Sequence, residues 1–331
     1  MILNPAILAL LIGSLLTSLM VLYASYYGIS ILRRWDIGSG SEIQLSLERR
    51  TYLISTILSY TLVFQLFSLF LFIYTADHLH TRFNGAMCAA GTLNADPFGY
   101  PLLVIKIANF VLAGLWLIVN HADSKGYDYP LIRAKYAFLL LLAPFIFLET
   151  FLQFKYFLGL HADLITSCCG SLFSLDRPGL SGDLSALPAD RMEIAFYTGM
   201  AATFVSGLYF HRRGRGGYLF SALSLITFLI AVASLISFIC LYIYELPTHH
   251  CPFCILQKEY GYIGYLLYIT LLGGAVAGVG TGVLLSFRNR TSLVRSIPAM
   301  QRRLTIVTLL LYLIFTLIVT YRMIFSSLRL R

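Results

Sequence analysis

Residues 249–287 read HHCPFCILQKEYGYIGYLLYITLLGGAVAGVGTGVLLSF. From Ile255 to Phe287 this is an apolar run longer than the roughly 20 residues that carry a helix across a bilayer. A stretch of that length and hydrophobicity predicts a membrane-spanning helix, and its excess length predicts a tilt or a start outside the hydrocarbon. Within it Gly274, Gly278 and Gly282 recur at four-residue spacing, a small-residue stripe that lets a second helix approach closely.

The rest of the chain repeats the pattern. Eight apolar runs are read, at Ala6–Ile31, Tyr52–Ala76, Leu102–Val119, Tyr136–Leu158, Ile194–Phe210, Leu219–Tyr244, Ile255–Phe287 and Leu304–Phe325. With 58% hydrophobic residues, 12% charged residues and a mean hydropathy of +0.79, the 331-residue chain is not a water-soluble domain. The expected fold class is all-α: one polytopic integral membrane helical bundle over residues 1–331, with about eight transmembrane helices. The first run lacks a basic leading segment and a small-residue cleavage site, so it is expected to remain as a span.

A net charge of +9 invites a nucleic-acid reading, yet the basic residues sit between apolar runs. Arg33, Arg34, Arg49 and Arg50 follow the first run; Lys125, Arg133 and Lys135 the third; Arg212, Arg213 and Arg215 the fifth; Arg288, Arg290, Arg295, Arg302 and Arg303 the seventh. By the positive-inside rule every odd span ends in the cytoplasm, which puts both termini outside and excludes nucleic acid as a partner. The expected location is the cell (cytoplasmic or inner) membrane, surrounded by lipid.

In this topology the outer loops are Asp77–Pro101, Gly159–Glu193 and Glu245–Cys254. They carry Cys88, Cys168, Cys169, Cys251 and Cys254, while Cys240 lies near the outer end of its span. An extracytoplasmic compartment lets disulfides form and persist. One reading is that the cysteines staple the loops together.

The C-x-x-C of Cys251 and Cys254 points further. At the start of the seventh helix its thiols would lie near free backbone N–H groups and the positive dipole end, which favours a thiolate. At helical spacing Cys251, Cys254 and Lys258 would share a face, with Gln257 alongside. A lysine so placed also has the option of snorkelling to the interface.

The segment Cys251-Pro-Phe-Cys254-Ile-Leu-Gln257-Lys258 resembles the DsbB family. There a C-x-x-C at the outer start of a helix is followed by Gln or Glu and then Arg, three and four residues after its second cysteine; here Lys258 stands at the Arg position. The resemblance implies a membrane thiol oxidoreductase that passes electrons from the dithiol to a bound quinone, with Gln257 and Lys258 near the quinone. The related vitamin K epoxide reductase family adds a loop-borne cysteine pair that shuttles electrons, a part that Cys88, Cys168 and Cys169 would fill. The implied partner is an extracytoplasmic thiol protein.

Two other readings stay open at this level. His249, His250, Cys251 and Cys254 form a soft or borderline ligand set for zinc or copper, with His80, His161 and the remaining loop cysteines on the same face. Haem between outer-leaflet histidines is a further option, although no C-x-x-C-H is present for covalent attachment. Under either the chain would handle metal or serve as the membrane subunit of a larger redox complex. The adjacent Cys168 and Cys169 would form a strained bridge, or one of them would pair with Cys88 and leave the other free, or both would hold a metal. Inside the spans, Lys106, Glu149 and Lys155 are costly unless paired or wet, so they predict either a polar chamber, with Glu149 handling protons, or ion pairs between helices.

Overall fold

The computed structural model describes residues 3–161, Thr166, Phe173 and 180–329. Cys168 and Cys169 lie outside the described residues. All regular structure among the described residues is helical, and seven helices are long and apolar enough to cross a membrane. They mark the chain as an integral membrane protein. In chain order the helices are α1 (Pro5–Arg34), α2 (Glu42–Leu79), the short α3 (Ala89–Asn94), α4 (Gly99–Asp123), α5 (Ile132–Gly159), α6 (Leu180–Ser185), α7 (Ala189–Arg213), α8 (Gly217–Ser234), α9 (Cys240–Tyr244), α10 (Ile263–Leu285) and α11 (Ser296–Phe325). A π-helical turn, Leu235–Ile239, joins α8 to α9 in a single span. The fifth apolar run forms α7, whose 25 residues begin Ala-Asp190-Arg191-Met-Glu193 and end His211-Arg212-Arg213; these polar ends set it apart from the seven.

Two compact units divide the chain: residues 1–75, 96–161 and 286–300 form the first, and residues 76–95, 162–285 and 301–331 the second. In the first, α5 packs against both α1 and α4. Its core joins Val21, Ile31, Ile54, Leu58, Trp116, Tyr136 and Leu139. Leu15, Leu16, Leu19, Leu22 and Tyr26 of α1 remain exposed, as side chains that meet lipid do. Asn4 starts α1 by accepting the Ala6 N–H at 2.9 Å, with Pro5 at the first helical position.

Two of the intramembrane charges of this unit, Lys106 and Glu149, pair with each other. Lys106 Nζ of α4 lies 2.6 Å from Glu149 Oε1 of α5 and donates to Ser68 Oγ at 2.8 Å. The other carboxylate oxygen accepts from Asn109 Nδ2 at 2.6 Å and from Gln65 Nε2. Of the two outcomes open for these charges, an ion pair between helices is the one found. Lys155 is exposed instead, over the Phe151 ring. A second buried pair, Lys135 Nζ to Asp123 Oδ2 at 2.7 Å, closes the α4–α5 connection, where Asp123 also accepts the Leu131 N–H at 2.9 Å.

In the second unit α8 packs against α7 and α10. The glycine stripe of α10 serves two neighbours: a Cβ at Gly274 would sit 2.3 Å from the Tyr312 ring of α11, and one at Gly278 2.5 Å from Ser224 of α8. Aromatic rings fill the centre, Phe196 lying 6.1 Å from Phe238 and 5.9 Å from Phe315. At the end of α9, Glu245 adopts φ +56° and accepts from the Ser327 N–H and hydroxyl at 3.1 and 2.5 Å, contacts that hold its carboxyl below the ordinary value.

The start of the seventh run departs from the expected single helix. Cys254–Leu256 and Lys258–Tyr260 are separate 3-10 turns with Gln257 extended between them, and α10 begins only at Ile263. Gly261 and Tyr262 take successive positive φ values of +64° and +56°, which an α-helix cannot contain. The turn then folds back on α10 at Gly264, where a Cβ would lie 2.7 Å from Ile255 Cγ1 and 3.0 Å from its carbonyl. Gly264→Ala is therefore expected to cost about 1–3 kcal/mol through overpacking. It should lower the thermal midpoint and raise the alkylation rate of Cys254 together; an unchanged midpoint would show that the turn yields freely.

Candidate functional site

Three buried thiols meet in the second unit. Cys88 Sγ and Cys251 Sγ are 3.6 Å apart, and these two with Cys254 Sγ all lie within 4.8 Å of one another. The three residues are 0%, 1% and 5% exposed, so the cluster is closed to solvent.

Cys88 arrives on the segment that follows α2. It occupies the position before α3 with extended backbone, and its carbonyl accepts the Gly91 N–H at 3.0 Å. Asp77, in the last turn of α2, reaches twelve residues ahead to accept the Ala89 N–H at 3.2 Å, capping α3 directly beside the thiol. Gly85, at φ +89°, brings the backbone so close to the Thr166 carbonyl that a Cβ would stand 2.4 Å from it. Thr166 in turn donates its N–H to the Asn84 carbonyl and its hydroxyl to Gly91.

The dithiol segment is held by side chains from below. Tyr244 donates its hydroxyl to the Cys251 carbonyl at 2.6 Å, and Tyr268 of α10 donates to the Pro252 carbonyl. His250 Nδ1 donates to the Ile236 carbonyl at 2.8 Å, inside the π-helical turn, whose widened hydrogen-bond pattern presents that oxygen sideways. The Tyr244 ring also meets His249 and Tyr260 edge-on, at 4.5 and 4.7 Å between centroids. Phe253 packs near Phe173, with centroids 6.4 Å apart. Cys240 is buried one turn before Tyr244.

Gln257 bridges the two segments. Its Nε2 donates to the Met87 carbonyl at 2.8 Å and approaches Asp77 Oδ1 at 3.4 Å, fixing the residue before Cys88 against the residues after Cys254.

Several sequence expectations are corrected by this geometry. The dithiol does not cap an α-helix, because Cys254 opens a short 3-10 turn, a second such turn follows and α10 begins only at Ile263, so the α-helix dipole is not available to stabilise a thiolate. Lys258 shares no α-helical face with the cysteines and is exposed. Among the described residues the ligand group that does converge contains Cys88 in place of His249 and His250: His250 donates to a backbone carbonyl and His249 meets the Tyr244 ring edge-on. His80 contacts the Asp77 carbonyl through Nδ1, and His161 is exposed in the first unit.

Asp77, Tyr244 and Tyr268 were not legible as site residues. Asp77 reads as the start of an outer loop, Tyr244 as the end of the sixth apolar run, and Tyr268 as a tyrosine of core packing or the interfacial belt on which a quinone would also stack. Tyr244 and Cys251 stand seven residues apart, a spacing that aligns side chains only along a continuous helix, and the helix ends at Tyr244.

No family model, curated protein or solved structure matches the chain.

Proposed function

We propose that the protein is a membrane thiol–disulfide oxidoreductase with its cysteine-bearing loops on the extracytoplasmic side. The observation that carries this reading is the 3.6 Å separation of Cys88 Sγ and Cys251 Sγ beside Cys254. A third thiol in contact with a C-x-x-C is the arrangement that disulfide exchange requires. In the exchange, a Cys88 thiolate attacks Cys251 of a Cys251–Cys254 disulfide. The Cys88–Cys251 bond forms, the Cys251–Cys254 bond breaks, and Cys254 leaves as a thiolate that takes up a proton. The reverse step returns the electron pair. An extracytoplasmic thiol protein is the proposed partner, exchanging its own dithiol or disulfide with the cluster.

The loop-charge asymmetry supports the topology: α7 joins the seven other helices as the fifth of eight spans, odd spans end in the cytoplasm, and both termini are outside. The cell membrane is the proposed location. The resemblance around Cys251–Lys258 supports a membrane quinone as the two-electron acceptor. The residues it would assign to that quinone do not fit the part here, since the Gln257 amide is committed to Met87 and Lys258 faces outward. The proposal therefore assigns no residue to the acceptor.

The test is disulfide trapping in the full-length protein. Cys254→Ser removes the competitor for Cys251, so mild oxidation should accumulate a Cys88–Cys251 bond, read by mass spectrometry of the non-reduced digest. In the wild type the same oxidant should yield Cys251–Cys254 as well, reopening on incubation with a dithiol. Cysteines that stay alkylatable throughout would remove the oxidoreductase reading.

A further inference from the structure

We infer that the reduced Cys88, Cys251 and Cys254 thiols together form a three-sulfur site for a single soft cation, copper(I). The inference stands on the geometry of the cluster and does not rest on the disulfide reading.

With one sulfur–sulfur edge of 3.6 Å and the others no longer than 4.8 Å, a point exists within reach of all three sulfurs. An isosceles triangle of edges 3.6, 4.8 and 4.8 Å has a circumradius of roughly 2.6 Å, against about 2.3 Å for a metal–thiolate bond of the zinc type. The sulfurs need to close by only a few tenths of an ångström to bind an ion in their common plane. The backbone that bears them is already held, at Cys251 by Tyr244, at Pro252 by Tyr268 and between Met87 and Gln257. Organisation is therefore paid before the ion arrives.

The donor set selects the ion. All three donors are sulfur, and thiolates favour copper(I) and zinc among the biological metals. Zinc in a closed site takes four ligands. Among the described residues the convergent group holds three, and burial leaves no open side for water. His250, the histidine next to Cys251, is not a member of that convergent group, and its Nδ1 donates to the Ile236 carbonyl on another element. A planar three-sulfur environment suits a d10 monovalent ion without directional demands. The sulfurs bind as thiolates, so loading releases protons and disulfide formation abolishes the site.

The experiment titrates the reduced, full-length protein under anaerobic conditions with copper(I) against a chromogenic copper(I) chelator, then records copper X-ray absorption on the loaded sample. The expected result is one copper(I) per chain with three sulfur and no nitrogen neighbours. His249→Ala/His250→Ala should keep that shell. Cys88→Ser should reduce it to two sulfurs and weaken binding tenfold or more. Because a cysteine variant is open to misfolding, the wild-type protein oxidised to its disulfide form provides the second comparison and should bind no copper. A nitrogen neighbour lost in the histidine variant, four-coordinate zinc displacing copper(I), or equal binding by oxidised and reduced protein would each overturn the inference. Copper binding without a trappable Cys88–Cys251 bond keeps this site and removes the oxidoreductase; trapping without copper binding does the reverse.

Discussion

Cys251→Ser is expected to lower thiol–disulfide exchange by roughly two orders of magnitude or more, the largest effect of any single substitution in the cluster. Cys251 is the sulfur that Cys88 touches, and it is also half of the C-x-x-C, so both bonds of the relay pass through it. A serine hydroxyl, slightly smaller than the thiol, largely keeps the packing and forms neither bond. Cys88→Ser should behave differently: the Cys251–Cys254 pair still opens and closes with an added small dithiol, while transfer to the Cys88 segment is lost. Cys240→Ser should leave exchange near the wild-type rate, because Cys240 lies outside the group whose sulfurs converge. The measurement is the rate of disulfide reduction in the purified protein with a dithiol substrate, followed by quenched alkylation. Equal rates for Cys251→Ser and Cys240→Ser would show that the cluster is a structural knot with no exchange role.

Glu149→Leu is expected to destabilise the first unit by about 3–5 kcal/mol, because removing one member of a buried ion pair strands the other. Lys106 is 0% exposed at its side chain and would keep only Ser68 as a polar neighbour, while Asn109 and Gln65 would each lose an acceptor. Lys106→Met should be costly for the converse reason. The double variant Lys106→Met/Glu149→Leu should be milder than the sum of the two single changes, since no uncompensated charge is left behind. Thermal midpoints of the four proteins in one detergent check this: additive losses would show that the two groups do not interact energetically, and wild-type midpoints for the single variants would show that water reaches the pair. The same measurement decides whether the pair serves mainly structure, because a polar chamber with access to water would tolerate the single changes.

Much of this architecture was legible in one dimension. Runs such as Ala6–Ile31 and Leu304–Phe325 correspond to α1 and α11 because hydrophobic length is a local property, and backbone hydrogen bonds in an apolar medium have to close within the helix. The stripe at Gly274, Gly278 and Gly282 announced a close helix contact for the same local reason, although not that Tyr312 and Ser224 would answer it from two different helices. The C-x-x-C was legible as chemistry, and Cys88 as one of three candidates to join it.

The seventh run does not show where its helix begins. Ile255–Phe287 looks continuous by composition, yet Gly261 and Tyr262 adopt left-handed conformations that no apolar count reveals. That break moves Lys258 outward, turns Gln257 toward Met87 and leaves the dithiol on a loop. Composition and spacing by themselves determined an all-helical membrane chain with a redox- or metal-competent dithiol at a polar boundary. Only the tertiary structure decided that Cys88 completes the cluster, that His249 and His250 stay out of it, and that Lys106 finds Glu149. Spans are set by the local balance of burial against backbone satisfaction. Partners separated by 163 positions, as Cys88 and Cys251 are, meet only through the packing and loop hydrogen bonds that bring their segments together.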